Sequence, residues 1–375
     1  MGLLGNLTAG QIAAHRALAE LRCGRAVLLH RDAQDTGLLV ASLETTETAL
    51  LARLQAYGGE PMRLALTAER AKALGHPVEP ATALLLSQPG VGALDVLGTL
   101  ARDWRISQWQ SLLAQAEASQ THDPRVLAAL QLIKHAQLLP AVVCTTHNGL
   151  SDPLDVLRVE LPALQRLQQG QDQDIQRISE ARVPLRDCED SRLVLFRDRR
   201  DGTEHVAIQV GQPDPHQPVP LRLHSSCMTG DLLGSLRCDC GEQLATAVQR
   251  LAAAGGGLLL YLAQEGRGIG LANKLRAYQL QDDGLDTIDA DLQLGFTADE
   301  RRYEVAAAML RHLQVPTVRL LTNSPHKVRA LRAAGIDVAE IGTLPGTPNP
   351  HNARYIRTKQ QRAGHFRAPV DDEQS

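Results

Sequence analysis

The densest chemistry in the chain lies between His224 and Cys240, where Cys227, Cys238 and Cys240 are spaced C-x10-C-x-C. Three thiolates at this spacing close on one zinc ion and leave a fourth coordination position for water, which the metal makes more acidic. No fourth cysteine follows at structural-site spacing, yet Cys188 or a histidine would complete a closed site. The spacing therefore leaves catalytic and structural zinc as equal readings. A zinc ion with three thiolates carries a net charge of about −1 and acidifies its water less than a histidine site does. Arg222 and Arg237 are near enough in sequence to offset that charge, ordinary surface arginine being the alternative, above all for Arg237.

Three further segments set polar or charged residues at turns. Gln264-Glu265-Gly266-Arg267-Gly268-Ile269-Gly270 follows an apolar run and precedes a helix expected from near Leu271, an arrangement that turns backbone N–H groups toward anions. It is neither a dinucleotide fingerprint, since Leu271 stands where the third glycine should fall, nor a P-loop. Leu271, Leu275 and Tyr278 share one helical face, so Tyr278 reads first as core. Gly295 to Arg301 sets Asp299 and Arg301 beside a glycine turn, either an acid/base with a phosphate-binding cation or the acidic start of a helix. Thr322-Asn-Ser-Pro-His-Lys327 opens another helix and offers a second phosphate grip.

The elements that must carry these residues read as mixed α/β, with helices alternating with strands in two domains, as 375 residues predict. In the first stretch, 26–29 and 37–42 read as strands around a polar turn, 47–57 and 124–139 as helices, and 141–144 as a strand. In the second, 192–196, 204–210 and 220–224 form an antiparallel start, followed by buried strands at 257–262 and 318–322. The Gln-rich stretch Leu167–Asp174 separates them, giving domains at 1–165 and 177–367 and a frayed acidic tail at 368–375.

A net charge of −3 and an aromatic content of 3% argue against a bulk polyanion binder and a base-stacking module. The longest apolar run, Leu251–Ala263, holds three glycines and is too short to span a bilayer. The N-terminus lacks the layout of a secretory signal, so a cytoplasmic protein without nucleic-acid or membrane partners is expected.

Taken together, the motifs RLHSSCMTGDLLGSLRCDCGEQL, QEGRGIGLANKLRAY, LGFTADER and LLTNSPHKV resemble GTP cyclohydrolase II across about Ile178 to Arg367, roughly half of the chain. The resemblance implies a hydrolase that converts GTP to 2,5-diamino-6-(5-phosphoribosylamino)pyrimidin-4(3H)-one with release of formate and diphosphate, at the head of riboflavin biosynthesis. It implies that Cys227, Cys238 and Cys240 hold one catalytic zinc per subunit, that Asp299 accepts a proton and that Tyr278 assists. Arg301, the family's proposed nucleophile toward the α-phosphorus, is permanently protonated and suits charge stabilisation better. Arg222, Leu223, His224, Ser225, Ser226, Gln243, Glu265, Gly266, Arg267, Thr287, Thr322 and Lys327 are implied as GTP contacts, with Mg2+ on the triphosphate and a homodimeric assembly. Many relatives have Glu at the position of Ser226 and Asn at that of Asp291.

The first half resembles dihydroxybutanone phosphate synthase at 24–29 and 64–75, without that enzyme's acidic run, its Pro-Gly-His segment or its His-Thr-Glu segment. It reads as a degenerate remnant. The rival readings are a cyclohydrolase paralogue with another product, a bifunctional enzyme, and a non-catalytic zinc protein that senses nucleotide.

Overall fold

The computed structural model describes residues 8–32, 34–89, 109–110, 116–147, 149, 156–169, 174–214, 216–362, 364 and 366. Residues 170–173 of the Gln-rich stretch and the acidic tail lie outside the described residues. The chain divides into two compact units. Unit 1 takes Met1–Asp172, Ile269–Leu285 and Asp289–Glu300; unit 2 takes Gln173–Gly268, Asp286–Ile288 and Arg301–Ser375. The fold class is mixed α/β, with a seven-stranded sheet in each unit.

In unit 1 the strands are β1 (Val27–His30), β2 (Leu38–Ser42), β3 (Arg63–Thr67), β4 (Ala83–Pro89), β5 (Ala116–Thr121), β6 (Ala141–Thr146) and β7 (Leu157–Glu160). Their order is β5-β4-β3-β6-β2-β1-β7, antiparallel except for the β1–β7 pair. Both faces of the sheet are covered, so alternate residues enter different cores. Val27, Leu29, Leu38 and Val40 pack with α1 (Ala9–Arg22), α4 (Pro124–His135) and α5 (Leu161–Gln169). Leu28, Leu39, Ala41 and Leu64 pack with α2 (Thr48–Tyr57) and α3 (Ala68–Ala73). A capping box, in which Thr8 and Gln11 exchange side-chain and backbone bonds, opens α1. Helix α4 ends at His135 rather than Leu139, because Ala136 caps it and Gln137 turns to a φ of 60°.

Unit 1 also takes in α7 (Gly270–Asp282) and most of α8 (Thr287–Leu294). Ala277, Leu280, Ala290, Leu294 and Phe296 close over Leu139 in one apolar cluster. This overturns the expected buried face of α7. Leu275 is 49% exposed, while Asn273, Lys274, Ala277 and Leu280 are the buried side. The Leu271, Leu275 and Tyr278 stripe is thus not the core side.

In unit 2, β8 (Ile175–Arg182), β9 (Ser191–Asp198) and β10 (Glu204–Gly211) form the expected antiparallel start. The strand expected at 220–224 instead joins the parallel part. β11 (Val219–Ser225), β12 (Gly256–Leu262), β13 (Thr317–Leu321) and β14 (Asp337–Gly342) complete the order β14-β13-β11-β12-β10-β9-β8. The reason is the crossover helix α6 (Cys240–Ala253), which returns the chain so that β11 and β12 run the same way. Leu221, Leu223, Leu258, Leu260 and Leu262 pack against α9 (Glu304–His312) and α10 (Pro325–Ala333). On the opposite face Leu259 meets Ala247, Val248 and Leu251 of α6. Helix α11 (Ala353–Arg362) closes the described chain.

The loops after β11 and β13 depart in opposite directions, toward β12 and β14 respectively, so a crevice opens at the carboxyl ends of these neighbouring strands. Cys227 follows β11, the 264–270 loop follows β12, and Thr322–Lys327 follows β13. Leu260 is fully buried in the central strand β12. Leu260→Ala should cost about 2–5 kcal/mol in a urea unfolding transition of unit 2. A loss under about 0.5 kcal/mol would contradict this packing.

Candidate active site

Cys227 leaves β11 just after Ser226, whose backbone N–H is tied to the Leu262 carbonyl (2.8 Å). Cys240 opens α6, where the helix N-terminus favours a thiolate. Between them the chain makes a π-helical turn over Met228–Leu232 and returns to Cys238. The three sulfurs lie within 4.8 Å of one another, and Cys227 Sγ is 3.7 Å from Cys238 Sγ. A tetrahedral zinc with Zn–S bonds near 2.3 Å requires sulfurs about 3.8 Å apart, so the spacing fits the ion. Hydrogen bonding to Cys227 and Cys238, together with burial, pushes the Cys240 thiol well up, and Cys227 raises Cys238. A cation is what allows the three to ionise together.

Gly230 makes room for this cluster. A Cβ there would stand 2.7 Å from Cys238 Sγ and 2.9 Å from Cys240 Cβ. Cys188, offered by the sequence as a fourth ligand, instead contacts the Asp190 carbonyl (3.2 Å) and is not part of the cluster.

Two buried networks hold the cysteine loop, and neither was visible as a motif. The Asp231 carboxylate accepts the Cys227 N–H (2.9 Å), the Tyr261 hydroxyl (3.0 Å) and His224 Nε2 (3.0 Å). Burial drives the His224 pKa down, so the neutral ring donates Nε2–H to Asp231 and stacks on Tyr261. The second network begins at Asp239, between two of the cysteines. Burial alone would raise its pKa, but Lys359 of α11, 3.0 Å away, holds it down. Asp239 also accepts from Gln243 Nε2 (2.6 Å), which leaves Gln243 Oε1 to accept from Arg222 Nη2 (2.6 Å). Arg222 then reaches the Leu321 carbonyl at the end of β13 (3.0 Å). Burial lowers its pKa to about 10, still charged at neutral pH. The Lys359 ammonium lies 4.0 Å from the Tyr355 ring centroid, which makes α11 part of this support.

Other residues singled out in the sequence gather around the same strand ends. Lys327 donates to the Leu223 carbonyl (2.6 Å) across the crevice, and the Arg301 and Lys327 cations lie 5.9 and 5.8 Å from the Tyr303 ring. Glu265 accepts the Met228 N–H (2.6 Å), and Ser226 Oγ accepts that of Gln264 (3.2 Å). Gly266 and Arg267 both have left-handed φ values, 62° and 63°. For Arg267 this conformation costs about 1–3 kcal/mol, a strain typical of ligand-gripping loops. Thr322 Oγ1 accepts the Ser324 N–H (3.0 Å), so its hydroxyl shapes the turn before α10. Arg222 Nε, Ser225 Oγ and Gln264 Oε1 are buried with no protein partner among the described residues, polar atoms suited to a polar ligand.

Thr287 is the first residue of α8 and is counted with unit 2. Tyr278 and Asp299 belong to unit 1. The Lys274 ammonium lies 5.7 Å from the Tyr278 ring centroid. Asp299 sits in a non-helical segment before α9, which starts only at Glu304, so it is not the acidic start of a helix. Asp291 is buried in unit 1.

The fold and site therefore define an α/β protein with a cluster of three cysteines, spaced to hold a metal ion, beside the carboxyl ends of parallel strands. The family model for GTP cyclohydrolase II matches residues 176–342. The GTP cyclohydrolase-2 of Azospirillum brasilense is 41% identical, covering 94% of this chain and 94% of that protein. Its counterpart in Xylella fastidiosa (strain 9a5c) is 40% identical over 94% of this chain and 87% of its own length. A solved two-domain 3,4-dihydroxy-2-butanone 4-phosphate synthase from A. baumannii aligns over 89% of this chain and 99% of its own, at 17% identity. The TM-score of that match is 0.31. The chain belongs to the GTP cyclohydrolase II family.

Gly230→Ala should weaken metal binding by about 10–100-fold, measured as metal retained per chain against a competing chelator. Wild-type retention would show that the cradle is not tight. A pH effect follows from two buried histidines. Burial lowers the pKa of His205, whose Nδ1 accepts the Ala263 N–H (3.1 Å), and likewise that of His224. Below the ordinary histidine value of about 6.5 the unfolded chain takes up protons that the folded one refuses, so stability falls as pH falls. His205→Gln should flatten that slope between about pH 5 and 6.5 in denaturant titrations; an unchanged slope would contradict the assignment.

Proposed function

We propose that this chain is a zinc-dependent GTP cyclohydrolase, converting GTP to 2,5-diamino-6-(5-phosphoribosylamino)pyrimidin-4(3H)-one, formate and diphosphate in riboflavin biosynthesis. The observation that carries the reading is the open three-cysteine cluster at strand ends in a chain of this family. Cys227, Cys238 and Cys240 hold the zinc. When bound, the metal supplies Lewis-acid activation of water for attack at C8 of guanine.

The chain's own groups do the rest. Asp299 takes the proton released as C8 is attacked, and Tyr278 supplies a polar contact at the reacting ring. Water consumed at C8 opens the imidazole ring, further water frees formate, and another splits the phosphoanhydride to release diphosphate. Arg301 stabilises charge that develops at the α-phosphorus, because a guanidinium keeps its proton at working pH. Mg2+ enters with the triphosphate as part of the substrate.

Arg222, Lys327 and the turn 322–327 bind the nucleotide beside β11 and β13, a reading supported by the orphaned Arg222 Nε. Gln243, Glu265, Gly266, Arg267, Thr287 and the backbone of 223–226 complete its contacts. His224, kept neutral and oriented by Asp231, presents a fixed ring rather than a second cation. The first half acts as a degenerate synthase. In support, Asp35 of the β1–β2 turn and Asp123, which caps α4, are committed to Arg125 at 2.9 and 2.7 Å.

The working assembly is a homodimer. Met228, Leu232, Leu233 and Leu236 of the cysteine loop are 45, 74, 67 and 59% exposed, apolar area that a second copy would cover. Leu232→Asp with Leu236→Asp should give a monomer in sedimentation; an unchanged dimer would move the interface elsewhere.

The direct test is to incubate the zinc-loaded chain with GTP and Mg2+ and to quantify both small products. Formate and diphosphate in equal amounts are expected. Neither product while GTP still binds would make the protein a nucleotide sensor instead. Cys238→Ser should lose metal and formate release together. Asp299→Asn should keep zinc and GTP while stopping chemistry, and expulsion of the metal would make Asp299 structural.

A further inference from the structure

Unit 1 has one feature that a relic would not need. Two segments that lie inside the family-matched region, Ile269–Leu285 and Asp289–Glu300, are packed into unit 1. They carry Tyr278 and Asp299.

The attachment is built from buried polar bonds as well as the apolar cluster around Leu139. Asn273, fully buried, donates to the Gln137 carbonyl (2.9 Å), which the left-handed turn at Gln137 presents. Arg276 pairs with Glu44 (2.7 Å), and the other oxygen of Glu44 accepts the Leu139 N–H. Thr67 Oγ1 donates to the Gly295 carbonyl (2.9 Å), and Arg70, whose guanidinium lies 4.8 Å from the Trp109 ring centroid, donates to the Gln293 carbonyl. Gly295, at a φ of 97°, lies so close that a Cβ would meet Thr67 Oγ1 at 2.9 Å.

The last tie acts on the residue next to Asp299. Glu300 Oε1 accepts the Thr297 N–H (2.7 Å) and the Thr297 hydroxyl (2.8 Å), closing the turn in which Asp299 sits. Lys134 of α4, its side chain only 5% exposed, pairs with the same oxygen at 2.6 Å. Without Lys134 this carboxylate would lose its buried counter-charge and the turn would loosen, because an unpaired buried charge seeks solvent.

We propose that the synthase-like unit works as a positioning scaffold for the Tyr278–Asp299 segment, with Lys134 the positioning residue that fixes the Asp299 turn through Glu300. The proposal rests on the reading of Asp299 as proton acceptor. Misplacement of a catalytic group by a fraction of an ångström to 1 Å lowers turnover without removing ground-state substrate contacts.

The test uses the full, zinc-loaded chain and steady-state formate release. Lys134→Met should lower kcat by about tenfold or more while KM for GTP stays within about twofold. Metal content should be unchanged. Lys134→Arg, which keeps the charge, should recover most of the loss. Lys134→Met combined with Glu300→Gln should be no worse than the more damaging single change, since both act through one contact. Should Lys134→Met fail to fold, Thr67→Val removes the bond to Gly295 along with the cap that its hydroxyl gives the Arg70 N–H at the start of α3 (3.3 Å), and a several-fold fall in kcat at constant KM is expected. Asp299→Asn is run alongside. If it is inactive while Lys134→Met and Thr67→Val both turn over like the wild type, the scaffold proposal is overturned and the function stands. If Asp299→Asn itself turns over normally, the proton-acceptor reading fails first and the proposal falls with it.

Discussion

Three sulfur atoms held within 4.8 Å of one another cannot all be thiolates unless a cation lies among them. Much of the polar order in unit 2 follows from this constraint. The cysteine loop is wound tightly enough to need glycine at 230, and both ends of it are anchored by carboxylates rather than by apolar packing. Asp231 fixes the first cysteine through its backbone N–H. Asp239 fixes the segment between the other two through Lys359 and Gln243. These carboxylates add negative charge close to thiolates, so each is matched: Asp239 by the Lys359 ammonium, and Asp231 by the hydroxyl and imidazole donors of Tyr261 and His224. The cysteine loop is thus held by groups that are not themselves part of the three-cysteine cluster.

The sheet order converts that centre into a site. In a parallel sheet, loops at the carboxyl ends gather on one edge, and they separate where successive crossovers run in opposite directions. β13, β11 and β12 are adjacent, so the 322–327 turn, the first cysteine and the strained 265–268 loop are brought to one edge from segments far apart in sequence. Arg222 links them. One guanidinium touches Gln243, and through it Asp239, while also holding the end of β13. A continuous chain of hydrogen bonds therefore runs from the end of β13 through Arg222 and Gln243 to Asp239 in the cysteine loop.

The sequence made some of this legible and hid the rest, for identifiable reasons. Strands β1, β2, β9, β10 and β12 were read near their observed limits because each is an apolar run between turn residues. The cysteines declared themselves by spacing. The direction of β11 was missed because alternation shows a strand but not its partner, and pairing was decided by the crossover helix. The buried face of α7 was missed because Asn273 and Lys274 are polar yet enclosed by partners in unit 1, while Leu275 is apolar and exposed. Asp231, Tyr261 and Lys359 carried no motif of their own. Asp239 and Gly230 could have been suspected, the first from its place between two of the clustered cysteines and the second from its place inside their loop.

The catalytic role proposed for the three cysteines requires a metal with one open coordination position. X-ray absorption at the zinc edge of the full chain measures its ligand shell directly. Three sulfurs at about 2.3 Å and a single lighter scatterer at about 2.0–2.1 Å are expected, the signature of three cysteines with one open position. Four sulfurs at about 2.3 Å would mean a closed structural site and would contradict the catalytic reading of the three-cysteine cluster.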